Sequence, residues 1–334
     1  RWTMKVTLKP HGKGNFLTVT NDCGLEVTLS QIGAGVYSVF YKGEVMNAGP
    51  MNKDAYITDR VSFYGKTIAP FAGRLKDGLF SIGEKEFHLP LTESGLSLHS
   101  GTLNAAFRLF DCEIRNGKEG MDIVFSLTLE ATDEFPATIP FRVRYFIYEK
   151  RPRFDVYFEA RPEQDTLWNP TTHLYWNLGG KKDVLHHTLA LHSQEFQVYD
   201  DSLLPVKKQK VDAVMDFNHA KEVGKDLFAE ELKNSKAKGY DHAFYLDQGA
   251  FPSAVLESKE FGMRVETDAP ALQIYTDNYP QKGKRLLNND TEIRHSAITF
   301  EPVGDLLDPS SLIVKKREGV SRMISYTFYQ KKGC

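Results

Sequence analysis

The segments Ile123-Val124-Phe125-Ser126-Leu127-Thr128-Leu129 and Phe141-Arg142-Val143-Arg144-Tyr145-Phe146-Ile147 decide the fold. Ile123, Phe125, Leu127 and Leu129 recur at every second position, and Phe141, Val143, Tyr145 and Ile147 do so opposite Arg142 and Arg144. A period of two puts one apolar row on one face of a strand, so both segments read as half-buried strands. The same alternation returns in Leu272 and Ile274 against Gln273 and Tyr275, and in Ile298 and Phe300 against Thr299 and Glu301. It returns again in Ile324, Tyr326 and Phe328. After the turn signal Lys76-Asp77-Gly78, Leu79 to Ile82 alternates, and Gly83-Glu84-Lys85 turns the chain into Glu86 to Leu89, a hairpin pattern. Helical spacing is confined to Lys225 to Lys236, through Leu227, Phe228 and Leu232. Strands parted by Gly, Pro, Asn and Asp clusters, without long intervening helices, imply an all-β fold, a large antiparallel β-sandwich. With no repeat, low-complexity tract or linker-like shift in composition, residues 1–334 are expected to form one domain.

Composition narrows the function. A formal net charge of −2 gives no reason to expect nucleic acid or an anionic membrane as a partner. There is no apolar run long enough to span a bilayer and no signal-peptide pattern. Cys23, Cys112 and Cys334 cannot all pair and have no metal or redox spacing, so a reducing, cytoplasmic setting is expected. Aromatic residues make up 12% of the chain and supply stacking surfaces for sugar-like ligands as well as strand formers. Nothing specifies an assembly state.

The chemistry centres on Asn169-Pro170-Thr171-Thr172-His173-Leu174-Tyr175-Trp176-Asn177-Leu178. The Asn-Pro step biases Asn169 toward extended backbone, and β-branched and aromatic neighbours hold His173 on stiff structure. A lone histidine there is more often a satisfied core residue, so its company matters. Glu301 points away from the face carrying Ile298 and Phe300, onto an expected solvent-accessible concave surface, and Pro302-Val303-Gly304 ends its strand. Arg74 closes the Pro- and Gly-bounded run Ile68-Ala69-Pro70-Phe71-Ala72-Gly73, His99 lies in the turn Ser97-Leu98-His99-Ser100-Gly101, and Asp241 follows Gly239-Tyr240. Each has a plain structural use: a surface ion pair for Arg74, a turn hydrogen bond for His99, a backbone cap for Asp241.

In their order these segments resemble the aldose 1-epimerases (galactose mutarotases). The likeness runs through most of the chain: Ala72-Gly73-Arg74 before the Asp77-Gly78 hairpin, Leu98-His99-Ser100-Gly101, His173-Leu174-Tyr175-Trp176-Asn177-Leu178, Gly239-Tyr240-Asp241-His242-Ala243-Phe244, Gln273-Ile274-Tyr275-Thr276 and Phe300-Glu301. The resemblance implies a galactose mutarotase-like supersandwich whose open cleft takes a free hexose, such as galactose or glucose. There the ring would be opened and reclosed at its anomeric carbon. It implies Glu301 as the general base at the C1 hydroxyl and His173 as the general acid at the ring oxygen. His99 would lie on the ring-oxygen side, Arg74, Asp241 and Gln273 would bind hydroxyls, and Tyr175 would join the sugar site. No metal, nucleotide or other cofactor is called for.

The sequence departs from the family at Gly73 and Thr172, where Asn is common, and at Leu174, where a small polar residue is usual. It departs again at Pro302-Val303-Gly304-Asp305, in place of a Thr-Gln type run. The resemblance therefore implies retained mutarotation with a sugar preference away from plain galactose. Rival readings are a non-catalytic carbohydrate-binding module, a glycoside-cleaving enzyme or lyase with Asp241 as second carboxylate, and a sugar-phosphate epimerase. The last needs cations at the cleft, where the motifs supply Arg74, with Lys76 close by.

Overall fold

The computed structural model describes residues 4–93 and 95–332; Cys334 lies outside them. The alternating segments form antiparallel strands, Gly120–Leu129 pairing with Ile139–Tyr148 so that Ile123 faces Tyr145 and Phe125 faces Val143. Along the first strand Ile123, Phe125 and Leu129 are buried, Leu127 is half-buried, and Ser126 and Thr128 are exposed, as a period of two requires, while Val124 on the other face is buried as well. The hairpin Leu79–Ile82 with Lys85–His88 is present. The expected helix shrinks to one turn, Glu230–Lys233. Ala229 is extended there, and the preceding residues are held as a bend by the Lys221–Asp226 ion pair (2.8 Å). Leu227 reaches the core from that bend and Leu232 from the helical turn, whereas Phe228 is exposed. The apolar spacing was thus satisfied by a bend and one helical turn rather than by a helix over the whole segment.

Three larger sheets carry the architecture. A nine-stranded sheet runs from Asp111–Asn116 through Ile139–Tyr148 and Val320–Gln330 to Lys221–Glu222. A seven-stranded sheet has the order Pro205–Lys210, Glu195–Tyr199, Asp241–Tyr245, Ala271–Tyr275, Ile298–Val303, Tyr175–Trp176, Asn47–Ala48. A five-stranded sheet holds the N-terminal strands from Lys5–His11 to Glu44–Val45. The two largest sheets meet through fully buried aromatics: the Trp176 ring lies 4.8 Å from Tyr326 and 5.7 Å from Phe328, centroid to centroid. One apolar cluster runs from Leu17 through Phe125, Tyr145 and Trp176 to Phe328, so the large sheets share a core. No described helix is long and apolar enough to cross a membrane.

His173 sits between two short strands, Thr171–Thr172, paired with Thr67–Ile68, and Tyr175–Trp176, paired with Ile298–Val303 and Asn47–Ala48. Its own amide donates to the Lys66 carbonyl and its carbonyl accepts from the Gly65 amide, both at 2.9 Å. Gly65 adopts φ +66, and a Cβ there would be driven into the Val36 carbonyl oxygen. Only glycine satisfies both demands. Gly65→Ala is therefore expected to destabilise the fold by at least about 2 kcal/mol and to lower activity in the remaining folded fraction. Urea unfolding checks the first and sugar turnover per folded molecule the second; unchanged values would remove Gly65 as the support of His173.

Candidate active site

Register brings the site together. In the seven-stranded sheet Ala243 pairs with Gln273, Gln273 with Glu301, Asp241 with Tyr275, and Tyr275 with Thr299. The odd-numbered residues of three adjacent strands therefore share one face, which floors a cleft of about 320 Å³. Arg74, His99, His173 and Tyr175 come from outside these three strands and line the same cleft, so the seven residues singled out in the sequence converge on one space.

Glu301 was expected on an accessible surface; it is instead 3% exposed. Both faces of Ile298–Val303 are covered, the even one by core and the odd one by cleft walls. Desolvation chiefly, and then the charge of Asp241, push the Glu301 carboxyl up to about 8, while the Thr299 hydroxyl and Arg74 oppose the rise. The Thr299 hydroxyl donates to Oε2 (2.9 Å), leaving Oε1 3.4 Å from His173 Nε2. Burial pulls His173 down to about 4, so at neutral pH the imidazole is uncharged and the carboxyl carries the pair's proton.

His99 has a fixed tautomer. Its Nδ1 accepts the Gly73 amide proton (3.0 Å), which leaves the ring hydrogen on Nε2. Burial, with His173 and Arg74 nearby, holds it well below the usual imidazole range, so it remains a neutral donor. The turn that presents it is strained, with φ +51 at His99 and +65 at Ser100. The donor atoms of His99, His173 and Glu301 lie within 4.8 Å of one another, a spacing compatible with a metal ion. Ligation through His99 Nε2 would require moving its proton to the nitrogen that Gly73 already occupies, so this set does not fit a resident metal.

The structural uses expected for Arg74 and His99 coexist with their place in the cleft. Arg74 Nη1 lies 3.7 Å from Asp241 Oδ2, and Gln273 Nε2 donates to Asp241 Oδ1 (2.7 Å). The Tyr175 hydroxyl donates to the Ser62 carbonyl (2.8 Å), and its ring packs 5.1 Å from His173. Of the departures from the family pattern, Thr172 and Leu174 are fully buried and do not line the cleft. Gly73 does line it, at φ +96, and Leu306 Cδ1 lies 3.0 Å from where a Cβ would stand. Leu306 is presented by a loop whose Asp305 accepts from the Tyr245 hydroxyl (2.6 Å).

Several participants escaped the sequence reading. Phe63, at φ +55, packs 5.3 Å from His99 and 5.8 Å from His173, in a segment without periodicity. Tyr199, whose hydroxyl accepts the Ala243 amide (2.9 Å), sits on an adjacent strand and was legible only through pairing. Asn169 was noted only as the residue before a proline. It is fully buried and bonds Ala72 O (3.0 Å), Gly304 N (2.9 Å) and Arg322 Nη1 (2.7 Å), joining the Arg74 loop to the end of the Glu301 strand.

The family model described as aldose 1-epimerase matches residues 15–304. The chain belongs to the aldose 1-epimerase family. It shares that family's isomerase chemistry, mutarotation of sugars. An aldose 1-epimerase of Escherichia coli (strain K12) is 28% identical over 287 residues, 81% of either chain. A maltose epimerase of Levilactobacillus brevis is 22% identical over 94% of each. In fold the chain is similar to the crystal structure of galactose 1-epimerase from Lactobacillus acidophilus NCFM, with TM-score 0.87 and 24% identity over 99% of both chains.

The buried carboxyl has a stability cost that depends on pH. Because Glu301 is pushed from its ordinary 4.5 up to about 8, the folded state binds its proton more tightly than the unfolded state across that window. Stability drawn from this group is present below pH 4.5 and is lost as pH rises through about 8. Glu301→Gln should thus gain on the wild type as pH rises, by on the order of 3 kcal/mol at the alkaline end. Paired urea titrations at pH 5 and pH 9 read the difference; a constant gap between the two proteins contradicts the shift.

Proposed function

We propose that the chain interconverts the α and β anomers of a free hexose, with Glu301 and His173 as its two proton-transfer groups. The observation that carries this reading is the 3.4 Å approach of Glu301 Oε1 to His173 Nε2 on the cleft floor. The hydroxyl oxygen that loses a proton and the ring oxygen that gains one are both bonded to C1, so an acid and a base this close together can reach both at once. A carboxyl pair flanking a glycosidic bond needs about 5 Å or more between its members. Asp241, the candidate second carboxylate, is engaged by Gln273 and Arg74.

In ring opening, the proton that rests on Glu301 first passes to His173 across their 3.4 Å approach; the Glu301 carboxylate then takes the proton from O1 while the His173 imidazolium gives one to the ring oxygen. The C1–ring oxygen bond breaks and C1=O1 forms. Glu301 is left protonated and His173 neutral, the form that burial favours. Rotation about C1–C2 offers the other face of the aldehyde, the ring oxygen attacks, and both protons return. The two forms of the pair hold the same single proton, so each half-reaction restores the other form without exchange with water. His99 Nε2–H donates on the ring-oxygen side, and Arg74, Asp241 and Gln273 hold hydroxyls.

Among the described residues Arg74 is the one Lys or Arg lining the cleft, and Asp241 lies beside it, which favours a neutral sugar over a sugar phosphate. Relatives named for galactose and maltose leave room for glucose at the reacting end, and Gly73 and Leu306, which both line the cleft where the sequence departs from the family, support a preference away from plain galactose. A reducing compartment such as the cytoplasm agrees with Cys23 and Cys112 as free thiols.

Glu301→Gln and His173→Asn are each expected to slow mutarotation by at least about 10²-fold, and Arg74→Ala to act mainly by raising KM. In the wild type kcat/KM should follow a bell between about 4 and about 8. Below it the pair gains a second proton and has no base; above it the pair loses its last proton and has no acid. Polarimetry on freshly dissolved α-sugar measures all of this. A flat profile, or near-normal turnover in either variant, overturns the assignment of the pair.

A further inference from the structure

One buried carboxylate outside the cleft has no part in the chemistry so far. Asp59 is 6% exposed, lines no part of the cleft, and follows the helical turn Lys53–Thr58. Its Oδ2 accepts from the Phe63 amide (2.7 Å) and the Ser62 amide (3.2 Å). Its Oδ1 accepts from Gln281 Nε2 (2.7 Å) and, at 3.3 Å, from the amides of Val61 and Ser62. Every partner is a donor, so the nest is built for a carboxylate. The turn it organises reaches the site. Phe63 packs against both His99 and His173, and the Ser62 carbonyl accepts from the Tyr175 hydroxyl, whose ring also packs against His173. One carboxylate therefore fixes two of the rings around the imidazole.

Charge adds to geometry. Glu301 faces His173 Nε2, His99 and Tyr175 pack on its ring, and Arg74 acts on His99. The charge of Asp59 favours the protonated ring against the burial that disfavours it. Lys66, fully buried with Nζ on the Tyr56 carbonyl (2.6 Å), lies near both Asp59 and Arg60. Ring opening needs the Glu301 proton on His173, and that transfer creates a buried imidazolium. We propose that Asp59 is a positioning residue for this transfer, clamping the Val61–Phe63 turn against His173 and stabilising the imidazolium with its negative charge. This proposal rests on the acid–base roles of Glu301 and His173. A charge that favours the imidazolium by some factor enriches the reactive proton arrangement by that factor. It strengthens binding of a second proton to the pair by the same factor. Losing the charge must therefore lower the plateau of kcat/KM and move the acid limb of its pH profile downward by matching amounts.

The experiment measures glucose mutarotation against pH by polarimetry in the full chain, in Asp59→Asn and in Asp59→Asn/Gln281→Glu, with folding checked by urea titration. Burial pulls Lys66 down to about 8, where the alkaline limb falls, so the acid limb is the one to read. In Asp59→Asn the new amide keeps an oxygen for the Ser62 and Phe63 amides and turns its nitrogen to Gln281, whose side chain can flip to accept. The second substitution returns a negative charge to that same hydrogen bond. Asp59→Asn should lower the plateau about three- to tenfold and move the acid limb down by about 0.5 to 1 in pH, the same factor. The double variant should recover most of both. A lowered plateau with an unmoved acid limb, or an unchanged profile, overturns the role of Asp59 and leaves Glu301 and His173 in place. If Asp59→Asn does not fold, the double variant decides: an acid limb at its wild-type position supports the role, and a displaced one overturns it. A flat wild-type profile removes the acid–base pair and Asp59 together.

Discussion

A carboxyl group denied water is the constraint around which the rest is arranged. Glu301 lies 3% exposed with one oxygen held by Thr299 and the other facing an uncharged imidazole. In water a glutamate at neutral pH would have given up its proton; here burial keeps it, and burial keeps His173 from taking one. The result is a pair with one proton to share, and a sugar whose C1 carries two oxygens can pass that proton round in either direction. The fold pays for the arrangement in stability and returns it as reactivity.

Holding such a pair needs rigidity in the backbone rather than the side chains. His173 is fixed by main-chain bonds to Gly65 and Lys66, and Glu301 by its row in the seven-stranded sheet beside Gln273. Asn169 links the two regions, with bonds to Ala72, Gly304 and Arg322 that tie the Arg74 loop, the end of the Glu301 strand and the adjoining nine-stranded sheet. His99 adds a donor whose tautomer is set by the Gly73 amide. The main-chain bonds and the Asn169 link do not touch the proposed reacting atoms, and each restricts where they can sit.

Much of this was legible in the sequence because strands announce themselves by parity. The alternation of Ile298, Thr299, Phe300 and Glu301 gave the strand and the side on which Glu301 stands. It did not give the burial of that side, since a sequence shows which residues face together but not what closes over them. Lys225 to Lys236 had helical spacing, and a bend beside an ion pair followed by a single helical turn met the same demand for two buried leucines. Thr172 and Leu174 adjoin His173 in sequence, yet at the join between two short strands its neighbours on either side are buried away from the cleft, and nothing in their spacing shows that. Phe63 and Tyr199 carried no periodic signal tying them to the site, and only the pairing of distant segments brings them there.

The central claim is that one buried carboxyl and one neutral imidazole act on the two oxygens of a single carbon. A crystal structure of the Glu301→Gln protein with glucose bound tests it most directly. The account predicts the sugar's O1 within about 3.2 Å of the residue 301 side chain and its ring oxygen within the same reach of His173 Nε2. A sugar seated in the cleft with C1 turned toward the mouth, away from both groups, would contradict it.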